Sequence, residues 1–152
     1  VGFRTISIAG IRAPDLIQQL DGVLEAVRDC VFANFESIDP SEAQLLFRVY
    51  GQNGVMGGLE PCVDQPPHEI GLVIEVVAET QSLADTLCSF ARSSLLHFGY
   101  PGRKSTAGNL AFPYSPSDIS HGVVYEFSIY HLMTVNDPVS PFPIRIQDLG
   151  VV

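Results

Sequence analysis

The apolar residues of this chain change period in a fixed order, and that order leaves few folds open. Residues 3–10, FRTISIAG, alternate, with Ile6 and Ile8 against Thr5 and Ser7, which predicts a half-buried strand. Pro14 suits a helical first turn. Leu16, Leu20, Val23, Val27, Val31 and Phe35 then recur every three or four residues, the stripe of a helix that should stop before Asp39-Pro40. Residues 44–50 alternate again, Leu45, Phe47 and Val49 against Arg48 and Tyr50, and residues 69–78 put Ile70, Leu72, Ile74 and Val76 on one face. Thr80 or Ser82 can cap a second helix with Leu83, Leu87, Phe90, Ser94 and Phe98 as its inner stripe and Gly99 as its C-terminal stop. Residues 123–134, VVYEFSIYHLMT, predict the last long strand, Tyr125, Phe127 and Ile129 against Glu126, Ser128 and Tyr130.

The order β-α-β-β-α-β predicts an α+β, ferredoxin-like fold, an antiparallel sheet with two helices on one face. At 152 residues and 46% hydrophobic, the chain suits one such domain, residues 1–152, and is short for two. The tail, 137–152, carries three prolines and is expected to cross the surface or meet a neighbouring domain. The chain starts at Val1 and not Met, so it is expected to be part of a longer protein.

A net charge of -9 and a pI near 4.6 argue against nucleic acid and anionic membrane surfaces as partners. Only 16% of residues are charged, which suggests that something else covers part of the surface. No apolar run approaches the roughly 18 residues of a membrane span, and no leader pattern is present. Cys30, Cys62 and Cys88 are odd in number and widely spaced, giving neither a disulfide framework nor a zinc signature. They read as reduced thiols of a cytoplasmic protein, with Cys30 and Cys88 as small buried residues on the helices.

Strand directions in this fold bring residues 10–13, 51–68 and the start of 99–122 to one end of the sheet. Connections as long as 99–122 are uncommon and often functional. The shared end collects Arg12, Gln52, Asn53, Arg103, Lys104, Ser105, Thr106 and Asn109, with His121 a further possibility. Such cations and free backbone N–H groups in an acidic protein suit an anion. The plain alternative is that the loops pack on each other and on a partner domain, with Arg103 and Lys104 paired to Asp118 or Glu60.

Other constellations fail. GYPGRKST lacks P-loop spacing and follows a helix instead of a strand. His68, His97, His121 and His131 lack metal spacing; His131 fits a hydrogen-bonded core position and His97 a helix C-terminus. Ser105, His121 and Asp118 have no nucleophile elbow around them. Neither metal nor cofactor is expected. The outer sheet face should carry Thr5, Ser7, Arg48, Tyr50, Glu75, Glu126, Ser128 and Tyr130 with Val73 and Val77, an interface-like mixture expected to bury against another subunit or domain. The alternative is a solvated face with cross-strand Arg–Glu pairs.

FRTISIAGIR, LFRVYGQNGVMGGLEP, GLVIEVVAETQ, RSSLLHFGYPGRKSTAGNLAFPYSPSDI and VYEFSIYHLMTVNDP together resemble the C-terminal portion of the acyclic terpene utilisation (AtuA-type) proteins, over nearly the whole chain. The resemblance implies a bacterial cytoplasmic protein linked to catabolism of acyclic terpenes or related acyl-CoA compounds. It also implies a larger α/β region preceding this part. It carries over no reaction and no catalytic residues. The expected role is domain packing or homo-oligomerisation; the alternative is a pocket for an acyl-CoA or carboxylate built by 51–68 and 99–122.

Overall fold

Period-two segments become strands here and period-3.6 segments become helices, in one mixed α+β chain. A computed structural model describes residues 2–36, 38–39, 42–62, 64–148 and 150. The elements are β1 (Gly2–Ile11), a one-turn α1 (Pro14–Ile17), α2 (Leu20–Asn34), β2 (Ala43–Tyr50), β3 (Ile70–Ala78), α3 (Gln81–His97) and β4 (Asp118–Val124). The strands form one antiparallel sheet in the order β2-β3-β1-β4.

Pro14 opens α1 as expected, but the first helix is split. Gln19 leaves helical geometry, and its side chain donates to the carbonyls of Asp15 (2.7 Å) and Pro101 (3.1 Å). The apolar spacing survives the break, and Leu16, Leu20, Val23, Val27 and Val31 are all buried. α2 ends at Asn34, and Phe35 packs edge-on against Phe90 of α3 at 5.2 Å. Asp39 follows that end, while Pro40, like Val1 and residues 151–152, lies outside the described residues.

Thr80 caps α3, its hydroxyl accepting from the Leu83 N–H at 3.2 Å. The buried stripe is Ala84, Leu87, Cys88, Ala91 and Leu95; of the expected residues Leu87 is buried, while Leu83, Phe90, Ser94 and Phe98 are at most half-buried. Small side chains at 84, 88 and 91 let α3 approach the sheet, and the bulkier ones flank it. The helix stops because Phe98 turns extended (φ -60, ψ 131); Gly99 does not take the left-handed conformation expected of a stop. Cys30 is exposed on α2, contrary to expectation, while Cys88 is buried.

Two strand expectations are corrected. In β1 the alternation holds but its sense is reversed: Thr5 and Ser7 are fully buried, and Ile6 and Ile8 lie on the other surface with Arg4. The register sets Thr5 opposite Val76 and Ser7 opposite Ile74, facing α3. Burial is tolerable because both hydroxyls are satisfied, Thr5 donating to Asp85 and Ser7 to the Ser117 carbonyl at 3.0 Å.

The last strand spans 118–124 and not 123–134. Its beginning is anchored by Arg92, whose Nε donates to Asp118 at 2.7 Å. At its other end Val124 stands opposite Gly2 of β1. Tyr125, Phe127 and Ile129 beyond it are exposed, and so is His131, which is no core histidine. The long connection is therefore 98–117. Among the described residues no helix is long and apolar enough to cross a membrane.

Candidate functional site

Both long connections rise from the same end of the sheet, where Ile11, Tyr50 and Ile70 close their strands. The end is nevertheless divided in two. Residues 108–111 are strapped to the first turn: Gly10 and Ala111 exchange backbone hydrogen bonds at 2.8 and 2.9 Å, and the N–H groups of Arg12 and Ala13 both reach the Gly108 carbonyl. Over β2 and β3, the 51–68 connection winds around Val49. Gly51 adopts φ +96 there, and a Cβ on Gly54 would lie 2.8 Å from the Val49 carbonyl carbon, so both positions favour glycine. Its side-chain link to the helices is Gln52 donating to Asp21 at 3.5 Å. Among the described residues no hydrogen bond or ion pair joins 51–68 to 98–117.

Around Arg103 a shallow hollow of about 310 Å³ is lined by Leu96, His97, Arg103, Ser105, Thr106 and Asn109, among others. Arg103 is exposed, and one of its nitrogens donates to the Leu96 carbonyl at 3.2 Å. Ser105 and Thr106 are exposed beside it. Asn109 is buried and braces the loop: its amide donates to the Lys104 carbonyl, and its oxygen accepts from the Tyr100 hydroxyl at 3.0 Å. Burial pushes the Tyr100 phenol above its ordinary pKa; Arg103 pulls it down and Asp15 adds to the rise. Arg12 and Lys104 are exposed, neither lining the hollow, and Asn53 is exposed on the other loop. His121 stands in β4 beside the Arg4–Thr5 step, towards the opposite end. Asp118, offered to Arg103 or Lys104 by the sequence, pairs with Arg92 instead.

The sheet surface away from Thr5 and Ser7 is the second candidate. Ile6, Ile8, Val73 and Val77 are half-buried on it, and Leu46, Tyr50 and Ile119 are exposed. In its middle Glu75 is only 5% exposed. Its carboxylate bridges two arginines, with Arg4 Nε at 2.8 Å from Oε1 and Arg48 Nε donating to Oε2 at 2.8 Å. The hydrogen bond to Glu75, followed by its charge, raises the Arg48 guanidinium above its ordinary pKa. Arg48, Tyr50 and Glu75 thus sit on this surface as expected, and Arg4 joins them. Sequence reasoning missed Arg4, although it shares the parity of Ile6 and Ile8. Glu126, with Tyr125, borders a groove of about 640 Å³ at the Ala43 and Ala78 end. Tyr130 lies beyond the last strand, exposed.

A third cluster holds the elements together. Asp85 of α3 accepts from Thr5, from Gln81 at 2.9 Å and from Ser120 of β4 at 2.9 Å. Gln81 in turn accepts from the Gly122 N–H at 3.1 Å. Burial raises the Cys88 thiol to about 12, with Asp118 adding to the rise, so Cys88 stays protonated and unreactive. Among the described residues no group of His, Cys, Asp and Glu is placed to hold a metal ion. No protein-family model, curated protein or solved structure matches the chain.

Proposed function

We propose that this chain is an assembly domain of ferredoxin-like plan, with both helices on one sheet face and the other face serving as the docking surface. The single observation that carries the reading is the Arg4–Glu75–Arg48 cluster. It neutralises the one buried carboxylate described on a surface that otherwise carries mainly aliphatic side chains with Tyr50, as a surface that is to be covered requires. The strand order and the common core of both helices and the sheet support the ferredoxin-like plan. By the resemblance to AtuA-type proteins, the surface docks on the preceding α/β region or on a further copy. The same resemblance assigns the work to bacterial cytoplasmic catabolism of acyclic terpenes or acyl-CoA compounds.

Sedimentation velocity tests this. The chain self-associates, or binds the separately produced α/β region, and Leu46→Asp weakens that association at least tenfold with an unchanged melting temperature. A strict monomer that binds no α/β region refutes the reading.

The hollow at Arg103 supports a second reading, a weak site for a carboxylate or acyl-CoA phosphate. Titration calorimetry with coenzyme A and a short acyl-CoA should show binding that Arg103→Ala removes; heats unchanged in that variant rule it out.

A further inference from the structure

The open sheet surface calls for a particular kind of cover. β3 is apolar on both sides. Ile70, Leu72, Ile74 and Val76 are buried in the core shared with the helices, and Val73 and Val77 are half-buried on the other side, with Glu75 between them. Strands covered by helices on both sides carry such a near-continuous apolar run, whereas a strand with one wetted side alternates. The surface is also furrowed. Gly10 and Gly71 stand opposite each other on it, so no side chain rises there, and Tyr50, paired with Gly71, flanks the gap. A convex helix fills such a furrow, and a second flat sheet does not.

Charge says what that helix carries. Within the ladders Arg4 and Arg48 are the only arginines or lysines on this surface and Glu75 is its only acid, which leaves the surface at +1 in a chain of net charge -9. The two arginines are not equivalent. Arg4 borders the groove at the Ala43 and Ala78 end, where Glu42, Glu79 and Glu126 stand. Arg48 lies six residues from Glu42, about 20 Å of extended chain, and opposite Val73, itself six residues from Glu79. Its side chain is 47% exposed, and its hydrogen bond to Glu75 uses Nε, leaving the N–H donors at the guanidinium tip for another acceptor. A carboxylate suits those donors, and a cation beside them is repelled.

We propose that this surface docks an amphipathic helix, which lays an aliphatic stripe along Ile6, Ile8 and Val73 beside Leu46 and sets a glutamate or aspartate against Arg48. The proposal rests on the assembly reading above and names the partner's chemistry. It excludes the same face of a second copy as the occupant, because the only acid within that face's ladders is already covered by its own arginines.

Fluorescence anisotropy on the whole chain at low salt tests it, with two labelled alanine-framework peptides of about 16 residues. Each carries leucines at i, i+4, i+7 and i+11, and one has glutamate, the other lysine, at i+8 on the rim of that stripe. The chain's net charge alone would favour the lysine peptide. The expected result is the reverse, the glutamate peptide binding about fivefold tighter, with both released by Leu46→Asp. Arg48→Gln should abolish the preference. Glu75→Gln, which frees the arginines without emptying the space, should at least double it. Thermal melts accompany each variant, and where Arg48→Gln does not fold, Glu75→Gln still decides. A lysine peptide bound as tightly, a preference that outlasts Arg48→Gln or ignores Glu75→Gln, or no binding of either peptide at about 500 μM overturns the proposal. If sedimentation then still shows an association that Leu46→Asp weakens, the assembly reading stands with a partner of different chemistry.

Discussion

Replacing Arg4 and Arg48 together by methionine will destabilise the chain by about 3–5 kcal/mol, the usual effect of leaving a buried carboxylate without its partners. Glu75 is 6% exposed at its side chain, while Arg4 and Arg48 are 34% and 47% exposed. The arginines are therefore both counter-charge and roof. Methionine keeps the roof and removes the charge, so water stays out and the carboxylate stays unpaired. Alanine at both positions should cost less, because water reaches Glu75 where the stems are missing. Adding Glu75→Leu to the methionine pair should recover most of the loss, since an apolar replacement of a whole buried ion cluster is often neutral or better. Urea melts of the four proteins measure this. An alanine pair worse than the methionine pair would mean that the arginine stems contribute through packing and not through charge.

Asp85→Ala comes second, at about 2–3 kcal/mol. The largest part is the buried Thr5 hydroxyl, which loses its acceptor, because an orphaned buried donor costs roughly 1–3 kcal/mol. Gln81 retains the Arg4 carbonyl and Thr5 as acceptors, and Ser120 is exposed and finds water. Adding Thr5→Val should therefore return much of the loss, a sign that the penalty lay in the orphan. Burial alone would raise the Asp85 carboxyl, but hydrogen bonds from Thr5, Gln81 and Ser120 outweigh it and hold its pKa below the ordinary value. A depressed folded pKa stabilises above the unfolded pKa and is lost as pH falls through the folded one. The wild type should thus lose this contribution below about pH 4, and Asp85→Asn should flatten that part of the acid-stability curve. An unchanged curve would remove Asp85 from the account.

Period was legible in the sequence, and sign was not always so. In β2 and β3 the apolar alternation marked the buried surface. In β1 it misled, because Ile6 and Ile8 look more buriable than Thr5 and Ser7 until Asp85, eighty residues away, supplies an acceptor. A strand's length is likewise a property of two segments. Strand directions did bring both long connections to one end. What they could not convey is that Asn109 turns inward as a brace, or that 51–68 leans towards α2 and away from Arg103.

The Gly2–Val124 pairing has a mechanical consequence. Among the described residues Gly2 and Val124 form the end rung of the β1–β4 ladder, so a pull applied at these two positions would open the ladder one rung at a time from that end, like a zip. The first rungs lie next to Gly122, whose N–H is held by Gln81 of α3. Tension at that end would be met first at α3's opening turn, through Gln81, and not in the core.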